Sequence, residues 1–376
     1  MNESFAWLEA LRRAWHRSTA HVDAALFAIV LTITVLGLLV LYSAANESTA
    51  RLWSQTQKIV LAIAIMLVVA NCSPQLLLRF AVPLYVLGIV LLIAVALGGE
   101  VIKGARRWLK LPGIGTIQPS ELMKIALPLV LAWYFEKHEG AVRWRNFCVA
   151  AVLSAIPFFL IVRQPDLGTA LLVGVCGFYV LYLAGLDLRI IFGGFVVAVL
   201  LAFAAWEFNW LHDYQKERVL TALDPSRDSQ DAGWHTIQAA IAIGSGGLLG
   251  KGWLNGSQTH LEFLPERHTD FIVAVYGEEF GLLGVSVLLV LYLMLLGRSF
   301  VIALRASTLA GRLMAGTIAL MFFTYAFVNM GMVAGILPVV GVPLPFVSYG
   351  GTAIITLFVA VGILMSVATH RKLVAS

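Results

Sequence analysis

Charge is what this sequence has least of. Only 12% of its 376 residues are Asp, Glu, Lys or Arg, while 60% are hydrophobic, and the mean hydropathy is +0.88. So little charge cannot cover a soluble globule of this length, and the composition reads as a polytopic membrane protein. Cysteine is scarce as well. Cys72, Cys148 and Cys176 each fall in or beside an apolar run, without the spacing of a disulfide frame or a metal site, and read as packing residues. No cleavable signal peptide is expected, because the first apolar run is too long, lacks a small-residue cleavage site and is followed by many others. The glycine-rich run from Gly244 to Gly252 has no closing Lys-Ser or Lys-Thr and no preceding strand, which argues against nucleotide hydrolysis. Ser348 lacks the Gly-x-Ser setting of a hydrolase elbow, and nucleic acid is not an expected partner.

What is present is a recurrence of apolar runs close to the ~20 residues a helix needs to cross a bilayer. They lie near 24–43, 58–72, 80–97, 120–135, 147–162, 167–184, 190–206, 271–296, 313–333 and 352–369. The expected fold is an all-α polytopic membrane protein of about ten transmembrane helices, with a large loop, residues 207–269, between the seventh and eighth. Residues 1–23 place Phe5, Leu8, Leu11 and Trp15 at helical spacing beside Arg12, Arg13 and Arg17, the pattern of an interfacial helix on an anionic leaflet. A single membrane domain then spans 24–370, with a short tail at 371–376.

Long loops cross a membrane largely regardless of charge, so the loop at 207–269 carries no topological weight. Without it, Lys and Arg are concentrated on the side of the N-terminus, which places both termini in the cytoplasm and the long loop outside. One outer segment runs against this bias: Lys103, Arg106, Arg107 and Lys110 are packed around Trp108 and Leu109. It reads either as an anion site, with phosphate the natural ligand, or as a basic loop touching lipid headgroups.

Charges within the apolar runs carry the next signal. Glu121 and Lys124 lie three apart after Gln118-Pro119-Ser120, so they share a helix face and can pair, with Ser120 as the expected cap. Asp166 follows Pro165 in a tight outer turn and suits a cap, yet it shares its side of the membrane with Arg107, Glu121, Lys124 and Asp270. Asp270 closes the polar run from Leu264 and precedes a long apolar stretch. It reads either as an N-cap or as a carboxylate partly withdrawn from water, a candidate base with Glu266, Arg267 and His268 near it in sequence. Lys251 could meet a phosphate beside the glycines at 244–252. The uncharged run from Gly335 to Thr352, rich in proline and glycine, cannot form a continuous helix and is expected to be a re-entrant loop buried against protein.

Five stretches, namely Gln118 to Glu121, Gln164 to Thr169, Ile241 to Gly247, Leu264 to Phe271 and Leu344 to Gly351, resemble in order the signatures of the shape, elongation, division and sporulation (SEDS) family. Gly341 to Phe346, the short termini and His370 to Leu373 are more similar to the family's elongation branch than to its septal branch. The resemblance implies a bacterial inner-membrane glycosyltransferase that polymerises lipid II into peptidoglycan strands during cell elongation, releasing undecaprenyl pyrophosphate with inversion. It also implies a class B penicillin-binding protein as partner, together with other membrane proteins of the elongation complex. By motif, Asp270 matches the family's essential acidic residue. Glu121, Lys124 and Asp166 match its charged cavity residues, and Arg107 and Trp108 its segment after the third span. Lys103, Lys251, Gln238 and His268 are further substrate-binding candidates. A divalent cation, Mg or Mn, could assist, although no fixed metal site is visible. A lipid-linked precursor transporter, a non-enzymatic scaffold and a septal polymerase are the competing readings.

Overall fold

In the computed structural model, residues 21–102, 105–111, 115–138, 143–208, 216, 220–221, 232–257 and 266–370 are described. Most of the expected interfacial helix at 1–23 and the tail at 371–376 lie outside them, as does Lys103.

The chain forms α1 (Ala24–Ala44), α2 (Thr49–Asn71), the short α3 (Pro74–Arg79) and α4 (Ala81–Gly98). A small antiparallel sheet follows, with β1 (Glu100–Ile102), β2 (Ala105–Leu111) and β3 (Gly115–Ile117) in the order β1-β2-β3. Then come α5 (Pro119–Lys137), α6 (Trp144–Val162), α7 (Leu167–Leu183), α8 (Leu188–Glu207), α9 (Ala232–Gly246), α10 (Ile272–Arg305), α11 (Leu309–Val333) and α12 (Thr352–Thr369). The expected spans correspond to α1, α2, α4 to α8 and α10 to α12. Among the described residues, eight helices are long and apolar enough to cross a membrane. Of the other two, α7 is apolar but shorter, and α5 carries Glu121, Lys124, Glu136 and Lys137. The protein is a polytopic all-α membrane protein, to which the sheet adds one local departure: the basic segment after the third span is a hairpin rather than a loop.

Side-chain caps start six of these helices. Asp23, Ser48, Ser73, Asp166, Asp187 and Thr308 each accept a hydrogen bond from a backbone N–H of the following turn, which satisfies donors that the helix itself cannot. The cap expected of Asp166 is therefore present, with the N–H of Thr169 donating at 3.3 Å. Ser120 does not cap α5: the N-cap is Gln118, Pro119 takes the first helical position, and Ser120 is buried inside the first turn. Proline at that position needs no N–H partner, so the helix starts two residues earlier than a cap at Ser120 would allow.

α5 is the central helix. It touches α3, α4, α6, α7, α11 and α12, and most of its residues are buried. α8 lies at the periphery, with no buried residue among its described side chains. α10 extends to Arg305 rather than stopping near 296, because Arg298 remains helical and pairs with the α1 cap Asp23 at 2.5 Å. The segment between α11 and α12 is irregular, as its prolines require, and largely buried from Val342 to Ser348. Val342, Leu344, Phe346, Val347 and Ser348 are each at most 4% exposed. α1 closes on this segment at Gly37, where an added Cβ would lie 2.7 Å from Val347 Cα and 2.8 Å from the Phe346 carbonyl oxygen.

Because those neighbours are backbone atoms, Gly37→Val is expected to destabilise the detergent-solubilised protein by about 1–3 kcal/mol, the usual cost of overpacking. Gly193→Ala, with nothing within 4 Å of its added Cβ, should leave the thermal unfolding midpoint close to that of the parent protein.

Candidate active site

The starts of α5, α7, α10 and α12, β2 and the irregular segment before α12 converge at one end of the bundle, around a cavity of about 320 Å³. Its lining includes Arg107, Trp108, Glu121, Lys124, Asp166 and Asp270, residues brought together from positions more than 160 apart in sequence. Gln118, Thr169, Glu266 and Tyr349 complete its polar wall.

Glu121 and Lys124 are 6% and 2% exposed, and Lys124 Nζ donates to Glu121 Oε1 at 2.6 Å. Neither charge could be buried alone, and the i,i+3 spacing on α5 brings them into contact. The ammonium also lies 5.0 Å from the ring centroid of buried Tyr325 on α11, a further source of stabilisation. Glu121 lines the cavity, and its Oε2 is a buried acceptor without a hydrogen-bond partner.

Asp166 is held from three sides. Its Oδ1 accepts from the Thr169 N–H, its Oδ2 accepts from Gln118 Nε2 at 3.2 Å, and Arg107 Nη1 lies 3.7 Å from Oδ1. Arg107 also donates to the Pro165 carbonyl oxygen, so the hairpin is tied to the turn before α7. A third of the Arg107 side chain remains exposed. Arg107 is therefore the lining cation with reach, whereas Lys124 is committed to Glu121.

Asp270 ends a tight turn. Glu266 opens it with a left-handed φ of 51°, and its carbonyl oxygen accepts from the Thr269 N–H at 3.0 Å. Arg267 Nε donates to the Ala44 carbonyl oxygen at the end of α1. Ser348 Oγ donates to the Thr269 carbonyl oxygen at 2.6 Å, the Tyr349 N–H donates to the His268 carbonyl oxygen, and Asn329 Nδ2 donates to both the Asp270 and the Val342 carbonyl oxygens. The turn is thus pinned by α1, α11 and the buried irregular segment. The capping reading of Asp270 fails here, since the N-cap of α10 is Phe271, with no side-chain cap. An added Cβ at Gly341 would sit 3.5 Å from Asp270 Oδ2, and its φ of 70° suits glycine, so this residue keeps space beside the carboxylate.

Among the lining carboxylates and cations, Glu121, Asp166, Glu266 and Asp270 outnumber Arg107 and Lys124. Positive field reaches the wall from α2 as well. Tyr349 is held below its ordinary phenol pKa first by a hydrogen bond with Ser54 and then by the hydrogen bond and charge of Lys58 and the charge of Arg51, against desolvation that raises it. Among the described residues, no three His, Cys, Asp or Glu side chains are grouped so as to hold a metal ion.

Three candidates are not brought to the cavity. Lys251 lies in the turn after α9 and pairs with buried Glu278 at 2.7 Å instead of facing a ligand space with the glycines. Two of those glycines serve close packing: added Cβ atoms at Gly246 and Gly250 would lie 2.1 Å from the Gly277 and Glu279 carbonyl oxygens. Gln238 is buried in α9, and His268 packs edge-on to Tyr349 just behind the wall. Sequence reading overlooked Tyr325, Asn329 and Tyr349 near the site and the buried pair Glu278 and Glu279. The signal for that pair was available, since two adjacent carboxylates stand eight residues into an apolar run.

A polytopic helical bundle with a largely buried cluster of ionisable groups around a cavity at one end defines a membrane protein with a polar ligand site among its helices. The chain belongs to the cell cycle protein family that groups FtsW, RodA and SpoVE, which matches residues 23–373. It is 48% identical over 357 residues to the peptidoglycan glycosyltransferase MrdB of Escherichia coli strain K12, covering 94% of this chain and 95% of that one. It is 37% identical to a probable peptidoglycan glycosyltransferase FtsW of Geobacter metallireducens, over 93% of this chain and 95% of that one. Among solved structures, it matches a chain of a peptidoglycan synthase complex that coordinates polymerization and crosslinking, with a TM-score of 0.82 and 34% identity over 93% of this chain and 98% of that one. It also matches the rod shape determining protein RodA of Thermus thermophilus, with a TM-score of 0.71 and 31% identity over 93% of this chain and 97% of that one.

Lys124→Met would leave Glu121 buried without its partner and is expected to cost about 3–5 kcal/mol of stability. Lys124→Met combined with Glu121→Gln should recover most of that loss. Thermal unfolding of both variants in detergent measures the difference.

Proposed function

We propose that Asp270 is the general base of a peptidoglycan glycosyltransferase reaction in which this chain polymerises lipid II during cell elongation. The chain is a multi-pass inner-membrane enzyme. Its cavity faces the periplasm and both termini lie in the cytoplasm, an orientation supported by the excess of Lys and Arg in the short loops at the other end of the bundle. The observation that carries the catalytic reading is the gathering of Asp270, Arg107, Glu121, Lys124 and Asp166 around one cavity.

The 4-hydroxyl of an incoming GlcNAc attacks the anomeric carbon of the terminal MurNAc on the growing strand. A carbon–oxygen bond forms on one face, the bond to the pyrophosphate oxygen breaks on the other, and the hydroxyl proton passes to Asp270. Inversion needs one base and no covalent intermediate. The departing pyrophosphate takes the bonding electrons and needs positive charge. Arg107 supplies it at the wall, where a well-placed donor can contribute on the order of 3 kcal/mol to the transition state. Lys124 acts at one remove, fixing the Glu121 side chain in the cavity wall through its ion pair. Trp108 offers the apolar face of the hairpin to the lipid carrier or a sugar ring.

A class B penicillin-binding protein is the partner that crosslinks the product, a reading supported by the likeness to a chain of a peptidoglycan synthase complex. The higher identity to MrdB than to FtsW favours the elongation role over the septal one. A transporter reading would favour ionisable groups near the bilayer midplane, whereas those of the cavity cluster at one end.

Asp270→Asn, purified in complex with its partner, is expected to bind lipid II but make no glycan strand; strand synthesis by that variant would remove Asp270 as the base. Arg107→Ala should lower polymerisation at least tenfold, and its residual rate should respond less steeply to added salt than that of the parent enzyme.

A further inference from the structure

We infer that Lys251 and Glu278 are positioning residues, an ion pair that sets the location of Asp270 from behind through the broken first segment of α10. α10 is interrupted at Gly281, whose φ of 66° and ψ of −165° are non-helical. The segment between Asp270 and this break, Ile272 to Glu279, is buried throughout. A helix break orphans carbonyls on one side and N–H groups on the other. The turn after α9 supplies both kinds of partner. The N–H groups of Lys251 and Gly252 donate to the Glu278 and Glu279 carbonyl oxygens at 3.0 Å each, while the carbonyl oxygens of Gly247 and Leu248 accept from Leu282 and Leu283 at 2.9 and 3.1 Å.

Side chains lock the same joint. Glu278 is 0% exposed, and its Oε1 accepts from Lys251 Nζ at 2.7 Å and from Ser257 Oγ at 3.2 Å, with Lys251 and Ser257 2.8 Å apart. Glu279, 1% exposed, accepts from Ser43 on α1. The neighbouring Ala44 carbonyl oxygen receives Arg267 of the turn that carries Asp270. The short helical segment is therefore gripped at its far end by Lys251 and along its side by α1, and its near end carries the base. A buried carboxylate that loses its cation must take up a proton or move toward water: the first loosens its hold on the turn after α9, and the second displaces the segment itself. A displacement of about 1 Å at a reacting group can cost on the order of a hundredfold in rate.

This inference rests on the assignment of Asp270 as the base. Lipid II polymerisation by the full chain in complex with its partner tests it, with turnover number and KM measured separately. Lys251→Met is expected to lower kcat on the order of tenfold, with KM within about twofold of the parent value. Glu278→Gln should act in the same direction. The double variant Lys251→Met with Glu278→Gln, which removes both charges together, should recover kcat to within about threefold of the parent. Lys251→Arg should retain most activity. A rise in KM at unchanged kcat for Lys251→Met would overturn the inference and make Lys251 a ligand contact. A double variant no better than the Lys251→Met single would overturn it as well. Asp270→Asn, assayed alongside, separates the two claims: activity in that variant defeats the base assignment, whereas the charge-pair cycle reads the joint independently.

Discussion

Every ionised group withdrawn from water in this bundle has to be matched by a partner, and that requirement organises one end of the molecule. Glu121 answers Lys124 within one helix turn, Asp166 answers Arg107 across the hairpin, and Glu278 answers Lys251 across the joint in α10. Removing one member of such a pair leaves a cost far larger than the pair's net stabilisation, so the elements that carry the partners are fixed relative to one another. α5 illustrates the consequence. It is too polar at its ends to stand alone in lipid, and it touches six other helices. Its charged first turns are what place the cavity at the centre of the bundle rather than on its lipid-facing side.

Backbone polarity imposes the same discipline. An irregular chain inside an apolar bundle is tolerable only where its N–H and C=O groups find partners in protein. The segment before α12 meets this condition through Asn329, Tyr292 and Ser348, whose side chains bond the Val342 and Pro345 carbonyl oxygens and the Leu344 N–H. Those bonds lie directly behind the turn that carries Asp270. The irregular segment and the candidate base are therefore one construction: the prolines and glycines that forbid a helix create the cavity floor, and the polar side chains that satisfy it also hold the turn.

Much of this was legible in the residues. Ten apolar runs mark the ten long apolar or central helices because membrane spans write their length into composition. Glu121, Lys124, Asp166, Arg107 and Asp270 stood out because charge beside an apolar run is rare. Local spacing was enough for the Glu121 and Lys124 pair. It misled at Ser120, where proline at the first helical position replaced a serine cap, and at Asp270, where a cap pattern in sequence is a turn in space. Lys251 next to glycines looked like a phosphate loop, because sequence cannot tell backbone approaching a ligand from backbone approaching another helix. Its partner Glu278 lies 27 residues away, and no spacing rule links them. The hairpin at β1 to β3 escaped for a related reason: its strands are three, seven and three residues long, too short for an alternating pattern to register.

The charge balance of the cavity narrows how it can work. Its carboxylates outnumber its cations, which is a poor arrangement for simply attracting a pyrophosphate. The structure answers by tying most of the carboxylates to local donors. Glu121 is bound to Lys124, Asp166 to Arg107, Gln118 and the start of α7, and Glu266 to Thr269. Their charge is largely spent on geometry. Asp270 is held through the turn itself: Asn329 donates to its backbone carbonyl oxygen, and α10 starts without its carboxylate as a cap. An acceptor poised by backbone contacts, beside a glycine that keeps space for a substrate and across from a partly exposed arginine, suits proton removal better than anion capture. If Asp270 is the base, as proposed, the surrounding ion pairs hold that one oxygen pair at a fixed place in the wall, and the proposed role of Lys251 is one case of the same constraint.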